Sequence, residues 1–115
     1  MLTLYGLKNC DTCRKALKQL DAAEKNVAFH DVREDGVSKK QIESWAKSAG
    51  WEKLLNKSST TWRALGAADK QDMDEKKAIA LMAAHPALIK RPVIKRGDTE
   101  VYVGWSKDVQ QKLGV

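Results

Sequence analysis

The sequence predicts an α/β fold built on a mixed four-stranded sheet with helices on its faces. Three observations lead to this prediction. The chain begins with a strand–helix–strand pattern, and such a unit pairs its two strands in parallel through a right-handed crossover. Several helical patterns follow. Two short strand patterns joined by a turn then add antiparallel strands near the end of the 115 residues.

The first strand–helix–strand unit has clear boundaries in the sequence. Residues 2–5 (LTLY) alternate and are rich in strand formers, and Gly6 ends this strand. Residues 11–25 predict a helix whose apolar side chains share one face, and Asn26 ends it. A second strand runs over about 27–32. The apolar face of the helix consists of Ala16, Leu17, Leu20 and Ala23.

The middle of the chain predicts a set of helices. Ser38 to Gln41 form a capping-box pattern, which predicts a helix that runs to about Ala49 and ends at Gly50. A clear helical pattern at 75–84 is stopped by the His-Pro pair that follows it. The other segments are a short helix at 51–55, a polar loop at 56–61 and the stretch WRAL at 62–65.

The last part of the chain predicts a hairpin and a helix. Strand patterns lie at 92–94 and 100–103, and the Arg96-Gly97-Asp98 tripeptide forms the turn between them. Ser106 is expected to cap a final helix that runs toward Leu113.

Composition and charge restrict the class of protein. Hydrophobic residues make up 43% and charged residues 31%, which is ordinary for a globular protein, and no run approaches the ~20 apolar residues of a membrane span. The first residues do not form a signal peptide, so we expect a cytoplasmic protein with reduced thiols. The 21 Lys and Arg residues exceed the 15 Asp and Glu residues by six. They are spread along the chain, so we expect a solvated basic surface rather than a direct nucleic-acid partner. We also expect a monomer and no membrane partner.

Cys10 and Cys13 are the only cysteines, and they lie two residues apart where the first strand gives way to a helix. A thiol at a helix N-terminus meets unpaired backbone N–H groups and the positive end of the helix dipole, so its pKa falls from ~8.5 to roughly 3.5–7.5. Lys8 and Arg14 add positive charge nearby, and Asp11 opposes them. Cys10 is therefore the expected nucleophile. Cys13, one turn into the helix, is placed to resolve a mixed disulfide on Cys10.

Two other interpretations of this cysteine pair are open. Zinc requires four ligands, and the only further candidates, His30 and His85, are isolated from each other, so we expect no metal site. The two thiols could also be inert core residues. A C-x-x-C motif in a strand–helix–strand context instead indicates a thioredoxin-like redox motif.

Four segments of the chain resemble one known family. TLYGLKNCDTCRKA, HPALIKRPVI and VGWSKD are similar to the ArsC/Spx family of thioredoxin-like proteins, in the family's order and spacing. GWEKLLNKSSTTWRAL is most similar to the YffB-like branch. The resemblance implies one thioredoxin-fold domain over residues 1–115, with a helical insertion at about 38–88.

The resemblance also implies roles for individual residues. The family's nucleophilic cysteine falls on Cys10. Arg91 falls on an arginine that binds the oxyanion or the cysteine adduct in arsenate reductases, and Pro92 falls on a cis-proline that faces the active site. Asn9 and Thr12 flank the nucleophile and are candidates for hydrogen bonds to a substrate.

Three positions depart from the arsenate reductases of the family. Those enzymes carry a histidine at the position of Gly6 and further arginines at the positions of Asn56 and Gly104. Only Arg91 remains of their three arginines, so we do not expect arsenate to be held well. Arg63 is a weaker candidate for a second positive group.

The resemblance leads to two hypotheses of function. The first is a glutathione-dependent thiol–disulfide oxidoreductase with Cys10 as nucleophile, glutathione as co-substrate and no bound cofactor. The alternative is an Spx-like transcription regulator that binds RNA polymerase and uses Cys10 and Cys13 as a redox switch.

Overall fold

A computed structural model describes residues 2–97 and 99–115 of the chain. The residues fall into two compact units. The first comprises the described residues up to Asp35 together with those from Arg91 onward, and the second comprises Gly36–Lys90. The helical insertion predicted at about 38–88 lies within this second unit.

The secondary-structure elements follow the predicted order, with two short additions. In chain order they are β1 (Leu2–Gly6), α1 (Asp11–Ala22), β2 (Val27–Asp31), α2 (Lys39–Ala49), α3 (Trp51–Leu54), α4 (Thr60–Ala64), α5 (Ala67–Lys70), α6 (Glu75–Ala84), a 3-10 helix (Pro86–Leu88), β3 (Val93–Arg96), β4 (Glu100–Val103) and α7 (Lys107–Lys112).

The first unit contains a four-stranded sheet in the order β2-β1-β3-β4. β1 and β2 are parallel, whereas β3 is antiparallel to both β1 and β4. The mixed sheet predicted from the sequence is therefore confirmed. In the parallel register Gly6 lies beside Asp31, so the carboxyl ends of β1 and β2 meet at one edge of the sheet.

Apolar side chains from the sheet, α1 and α7 form the core of the first unit. Burial of this apolar surface is the main favourable contribution to folding. The buried members of the cluster are Leu2, Leu4, Cys13, Ala16, Leu20, Ile94, Val109 and Leu113. Cys10 is partly buried and packs against this cluster.

Helix α1 ends three residues earlier than the sequence pattern predicts. Glu24 adopts a left-handed conformation with φ 59°. The N–H of Lys25 donates to Leu20 O at 3.0 Å, and the N–H of Glu24 donates to Asp21 O at 2.9 Å. These two bonds form a Schellman ending, which normally uses glycine at the left-handed position. Because that signal is absent from the sequence, the prediction extended the helix to Lys25, and it placed the exposed Ala23 on the buried face.

The second unit is helical, and both α2 and α6 lie where the sequence predicts them. The Ser38 hydroxyl accepts the Gln41 N–H at 3.1 Å, and the Gln41 side chain accepts the Ser38 N–H at 3.1 Å, so the capping box is confirmed. α2 packs against α3 and α6. The buried apolar side chains of this unit are Ile42, Trp45, Ala46, Leu54, Leu55, Ala78, Ile79, Met82, Leu88 and Ile89.

Three local predictions need correction. The polar loop predicted at 56–61 is shorter, because Ser59 accepts the Trp62 N–H at 3.1 Å and starts α4 at Thr60. The short helix α5 and the 3-10 helix carried no periodic signal and were not predicted. Arg96, predicted in the hairpin turn, belongs to β3 and pairs with Glu100. Asp98, predicted in the same turn, lies outside the described residues.

Across the described segments, none of the helices combines the length and the apolar character needed to cross a bilayer.

Gly6 faces the core at a point where there is no room for a side chain. A Cβ atom placed on Gly6 would lie 2.4 Å from Cys13 Sγ, far inside van der Waals contact. The next nearest atoms, Cys13 Cβ and a methyl of Leu4, would lie at 3.3 and 3.4 Å. The sulfur of Cys13 therefore fills the space that a side chain at position 6 would need.

This contact generates a stability prediction. Gly6→Ala should lower the free energy of unfolding by about 1–3 kcal/mol, the usual cost of overpacking a core. In a Cys13→Ala background the same substitution should cost clearly less, because the clashing sulfur is gone. Urea denaturation of the wild type, both single variants and the double variant gives the coupling energy.

Gly66→Ala is a matched control for this double-mutant comparison of Gly6→Ala and Cys13→Ala. Gly66 has a negative φ, and a Cβ there would meet its nearest atom only at 4.0 Å. Its effect on stability should be small and the same in both backgrounds. Additive effects of Gly6→Ala and Cys13→Ala would show that the two positions do not compete for space.

Candidate active site

Cys10 caps the amino terminus of α1, as the sequence predicts. Its backbone is extended, with φ −95° and ψ 119°, and its carbonyl accepts the Arg14 N–H at 3.0 Å. The Cys10 N–H donates to Leu7 O at 3.2 Å and closes a turn between β1 and α1. The thiol is therefore carried at the junction of a sheet strand and a helix N-terminus, where backbone N–H groups are unpaired.

The two cysteines are not joined by a disulfide, and they differ in exposure. Cys10 is partly exposed, whereas Cys13 is fully buried at 0% exposure. A partly exposed thiol can reach a dissolved reactant, and a buried one cannot without local opening.

The surroundings of Cys10 favour its ionised form. Burial opposes ionisation, but the backbone amide and thiol of Cys13 and the guanidinium of Arg91 favour it, and together they hold the pKa of Cys10 below its ordinary value. The prediction of a low pKa at this position agrees in direction with this balance. Arg91 supplies both a hydrogen bond and a charge interaction to the Cys10 sulfur.

Cys13 has the opposite tendency. Burial is the main reason that its pKa rises to about 12, and the negative charge of Cys10 adds to the rise. The backbone of Leu7 and the charge of Arg91 act in the other direction and are outweighed. Cys13 therefore remains a neutral thiol that donates its hydrogen to the Cys10 thiolate.

Arg91 and Pro92 lead into β3. Arg91 is half-buried and Pro92 is buried. The peptide bond between them is cis, in agreement with the expectation from the family resemblance. The Pro92 carbonyl accepts the Gly104 N–H at 2.8 Å, which attaches this segment to the residue that follows β4. The structure thus brings Cys10, Cys13 and Arg91 together.

Asn9 and Thr12 are both exposed, on either side of Cys10. The Asn9 side-chain oxygen lies 3.5 Å from Arg14 Nη2, and Arg14 Nε donates to Lys8 O at 2.9 Å. Arg14 therefore stiffens the loop before the nucleophile. The substrate-binding roles of Asn9, Thr12 and Pro92 stay predictions.

Sequence reasoning did not single out Asp31, the last residue of β2. Its side chain is 5% exposed and accepts the N–H groups of Lys8, Arg33 and Glu34 at 3.0, 2.8 and 3.0 Å. The bonds to Arg33 and Glu34 form an Asx-type turn, for which an aspartate at a strand end is a weak sequence signal. The long-range bond to Lys8 has no local signal.

Arg63 belongs to the second unit, where it donates to Ser58 O at 2.9 Å. Within residues 2–97 and 99–115, no three His, Cys, Asp or Glu side chains are grouped as metal ligands. The chemistry available at the site is that of a thiolate beside a neutral thiol and a guanidinium.

Comparison with known proteins identifies relatives over nearly the whole chain. A family model described as the ArsC family matches residues 5–113. An uncharacterized protein of Haemophilus influenzae is 41% identical over 113 residues, which make up 96% of this chain and 96% of that protein. The uncharacterized protein YusI of Bacillus subtilis is 33% identical over 93% of this chain and 92% of its own length.

Solved structures give the same result. A structure described as the YffB protein superposes with a TM-score of 0.92 and is 39% identical, with all of both chains covered. An arsenate reductase-related protein from Brucella melitensis has a TM-score of 0.77 and 33% identity over 99% of this chain and 95% of its own. These relatives indicate a thioredoxin-like fold and a thiol-based redox function. Since the family model and the relatives each cover more than nine-tenths of the sequence, the chain belongs to the ArsC family, in its YffB-like branch.

Proposed function

We propose that this protein is a glutathione-dependent thiol–disulfide oxidoreductase in which Cys10 is the nucleophile. One observation carries the proposal: the partly exposed Cys10 begins α1 with Arg91 hydrogen-bonded to its thiol, and these surroundings lower the pKa of Cys10. A thiolate that solvent can reach is the form of cysteine that attacks disulfides.

The first step is an exchange at the Cys10 sulfur. The thiolate attacks the glutathionyl sulfur of a mixed disulfide between glutathione and a substrate thiol. A new bond forms between Cys10 and glutathione, the original sulfur–sulfur bond breaks, and the substrate leaves as a thiolate that takes a proton from water.

The second step returns Cys10 to its thiolate. A second glutathione thiolate attacks the glutathionyl sulfur bound to Cys10, which releases oxidised glutathione and restores the enzyme. The balance is one mixed disulfide and one glutathione consumed, one substrate thiol and one oxidised glutathione produced.

Cys13 could in principle release glutathione by attacking Cys10 instead. Burial raises the pKa of Cys13 far above neutral pH, so little of it is thiolate at pH 7. Formation of the mixed disulfide removes the charge of Cys10, but burial, the main cause of the shift, remains. External glutathione is therefore the favoured resolving thiol.

Arg91 has two roles in this proposal. The positive charge of Arg91 stabilises the Cys10 thiolate before attack. When the negative charge passes from Cys10 to the leaving sulfur, the Arg91 guanidinium becomes available to a carboxylate of glutathione. Glutathione is net negative at pH 7, so the basic surface of the chain favours its approach. Asn9 and Thr12, the exposed residues on either side of Cys10, are proposed to contact the bound glutathionyl group, whereas a substrate-binding role for the buried Pro92 stays a prediction.

Arsenate reduction is not proposed as the natural activity. A compact oxyanion requires several donors around one small volume. Position 104 is a glycine with φ +84°, and it contributes a backbone N–H to Pro92 rather than a charged side chain to the site.

The contact between the two sulfurs also supports a second candidate, a redox-sensing regulator. A Cys13 thiol that donates to the Cys10 thiolate is placed for disulfide formation once an oxidant has removed two electrons from the pair. In that case oxidation would change the affinity for RNA polymerase, and turnover with glutathione would be absent.

The first test compares cysteine variants. Reduced protein treated with oxidised glutathione should gain one glutathione, located on Cys10 by peptide mass spectrometry. Cys10→Ser should reduce deglutathionylation of a mixed-disulfide substrate to background. Cys13→Ser should stay within about threefold of wild type, because serine keeps a hydrogen-bond donor beside Cys10.

Other outcomes of this test favour different chemistry. Loss of two hydrogens without an adduct would mean that Cys10 and Cys13 form a disulfide, which supports the redox switch. Full turnover by Cys10→Ser would remove Cys10 from the mechanism, and loss of turnover in Cys13→Ser would make Cys13 the resolving thiol.

The second test follows the pH dependence of Cys10 alkylation by iodoacetamide. The midpoint for the wild type should lie below that of an ordinary cysteine, because the thiolate is stabilised. Arg91→Ala removes a stabilising cation and should move the midpoint upward by about one pH unit. Arg91→Lys keeps the charge and should move it less.

Lys90→Ala is the matched control, because it removes a positive charge from the exposed residue next to Arg91, and Lys90 is not among the groups that shift the pKa of Cys10. Its midpoint should equal that of the wild type. An unchanged midpoint in Arg91→Ala would contradict the role of Arg91 as thiolate partner.

A further inference from the structure

Asp31 is the only charged side chain that is buried among the residues the structure describes. A carboxylate that leaves water loses hydration, and this loss is tolerated where hydrogen bonds replace it. Its position is also specific, since it ends β2 directly beside Gly6, the last residue of β1. The carboxylate therefore lies at the edge of the sheet from which the loop to Cys10 departs.

Both oxygens of this carboxylate accept hydrogen bonds from the backbone. Oδ1 accepts the Arg33 and Glu34 N–H groups at 2.8 and 3.0 Å, and Oδ2 accepts the Lys8 N–H at 3.0 Å. The backbone amide of Glu34 is the main cause that lowers the pKa of Asp31 below its ordinary value. Burial opposes this shift, and the amides of Lys8 and Arg33 add to it. The carboxylate is thus ionised and joins two loops that are far apart in sequence.

The bond to Lys8 fixes the segment that carries the nucleophile. Lys8 lies two residues before Cys10, and the turn around it is closed by the bond from the Cys10 N–H to Leu7 O. The base of the loop is fixed as well, because Gly6 O accepts the Val32 N–H at 2.9 Å. With both ends of the loop held, its path to Cys10 has little freedom.

We propose that Asp31 is a positioning residue for the Cys10 thiolate, acting through the backbone N–H of Lys8. Asp31 is not expected to contact a substrate or exchange a proton. By fixing the turn from Leu7 to Cys10, it keeps the Cys10 sulfur against the start of α1 and against Arg91. The inference rests on the nucleophilic role proposed for Cys10 but needs no particular substrate.

Asp31→Asn tests this role, because an amide has the shape of the carboxylate but only one acceptor oxygen. In the variant, the side-chain NH₂ group would face a backbone N–H that one carboxylate oxygen of Asp31 now accepts. The sign of the effect on Cys10 is diagnostic. Loss of a negative charge alone would favour the thiolate and lower the pKa of Cys10, whereas loss of positioning raises it.

The measurement is the pH dependence of Cys10 alkylation by iodoacetamide in the full chain, with the modified cysteine located by mass spectrometry. We expect a midpoint about one pH unit higher in Asp31→Asn, with an alkylation rate about tenfold lower at a pH well below both midpoints, where the thiolate fraction falls in proportion to the shift. A midpoint equal to or below that of the wild type would overturn the inference.

Glu34→Gln is the matched control. It makes the same change of carboxylate to amide three residues away, where Glu34 pairs with Lys8 Nζ at 2.8 Å on the surface. It leaves the three bonds of Asp31 intact, so the midpoint should not rise. An equal rise in both variants would assign the effect to a general loss of stability and overturn the specific role of Asp31.

A measurement on the wild type covers the case in which Asp31→Asn does not fold. The Lys8 amide belongs to an exposed residue, yet its bond to Asp31 should slow its hydrogen exchange about tenfold or more relative to an unprotected amide. Exchange at the unprotected rate would overturn the inference. If wild-type Cys10 itself reacts no faster than free cysteine, the proposed function fails, independently of the behaviour of Lys8.

Discussion

The stabilisation of negative charge on the Cys10 sulfur is the interaction on which the rest of the site depends. The two residues that stabilise this charge come from distant parts of the sequence: Cys13 follows β1, whereas Arg91 precedes β3. They meet because β1 and β3 are neighbours in the sheet. β2, the other neighbour of β1, brings Asp31 to the same edge. The position of β1 between β2 and β3 therefore brings Cys10, Arg91 and Asp31 to the same edge of the sheet.

The parts of this arrangement that depend on local chemistry could be predicted from the sequence. The strand before Cys10 and the helix after it have clear patterns, and together they place the thiol at a helix N-terminus. The same holds for the capping box of Ser38 and Gln41, whose partners are three residues apart. Arg91 has no such pattern, because a single arginine before a proline carries no local signal. Its proposed role rests on the resemblance, and the pairing of β1 with β3 accounts only for its position near Cys10.

The features that escaped prediction depend on contacts between distant residues or on uncommon backbone conformations. The bond from the Lys8 N–H to Asp31 spans 23 residues and follows from strand register, which no single segment encodes. The left-handed Glu24 ends α1 without the glycine that usually marks such an ending. In each case the surrounding structure, rather than the residue's own preference, determines the conformation.

The close approach of Gly6 and Cys13 also constrains how a sequence of this fold can change over time. Because the Cys13 sulfur occupies the volume that any side chain at position 6 would enter, the two positions are epistatic. A lineage that acquires a side chain at position 6 before it replaces Cys13 with a smaller residue passes through a destabilised intermediate, and the opposite order avoids this clash. The arrangement with two thiols and the arrangement with a functional side chain at position 6 are therefore alternative designs of one site, and the order of mutations decides which is reached.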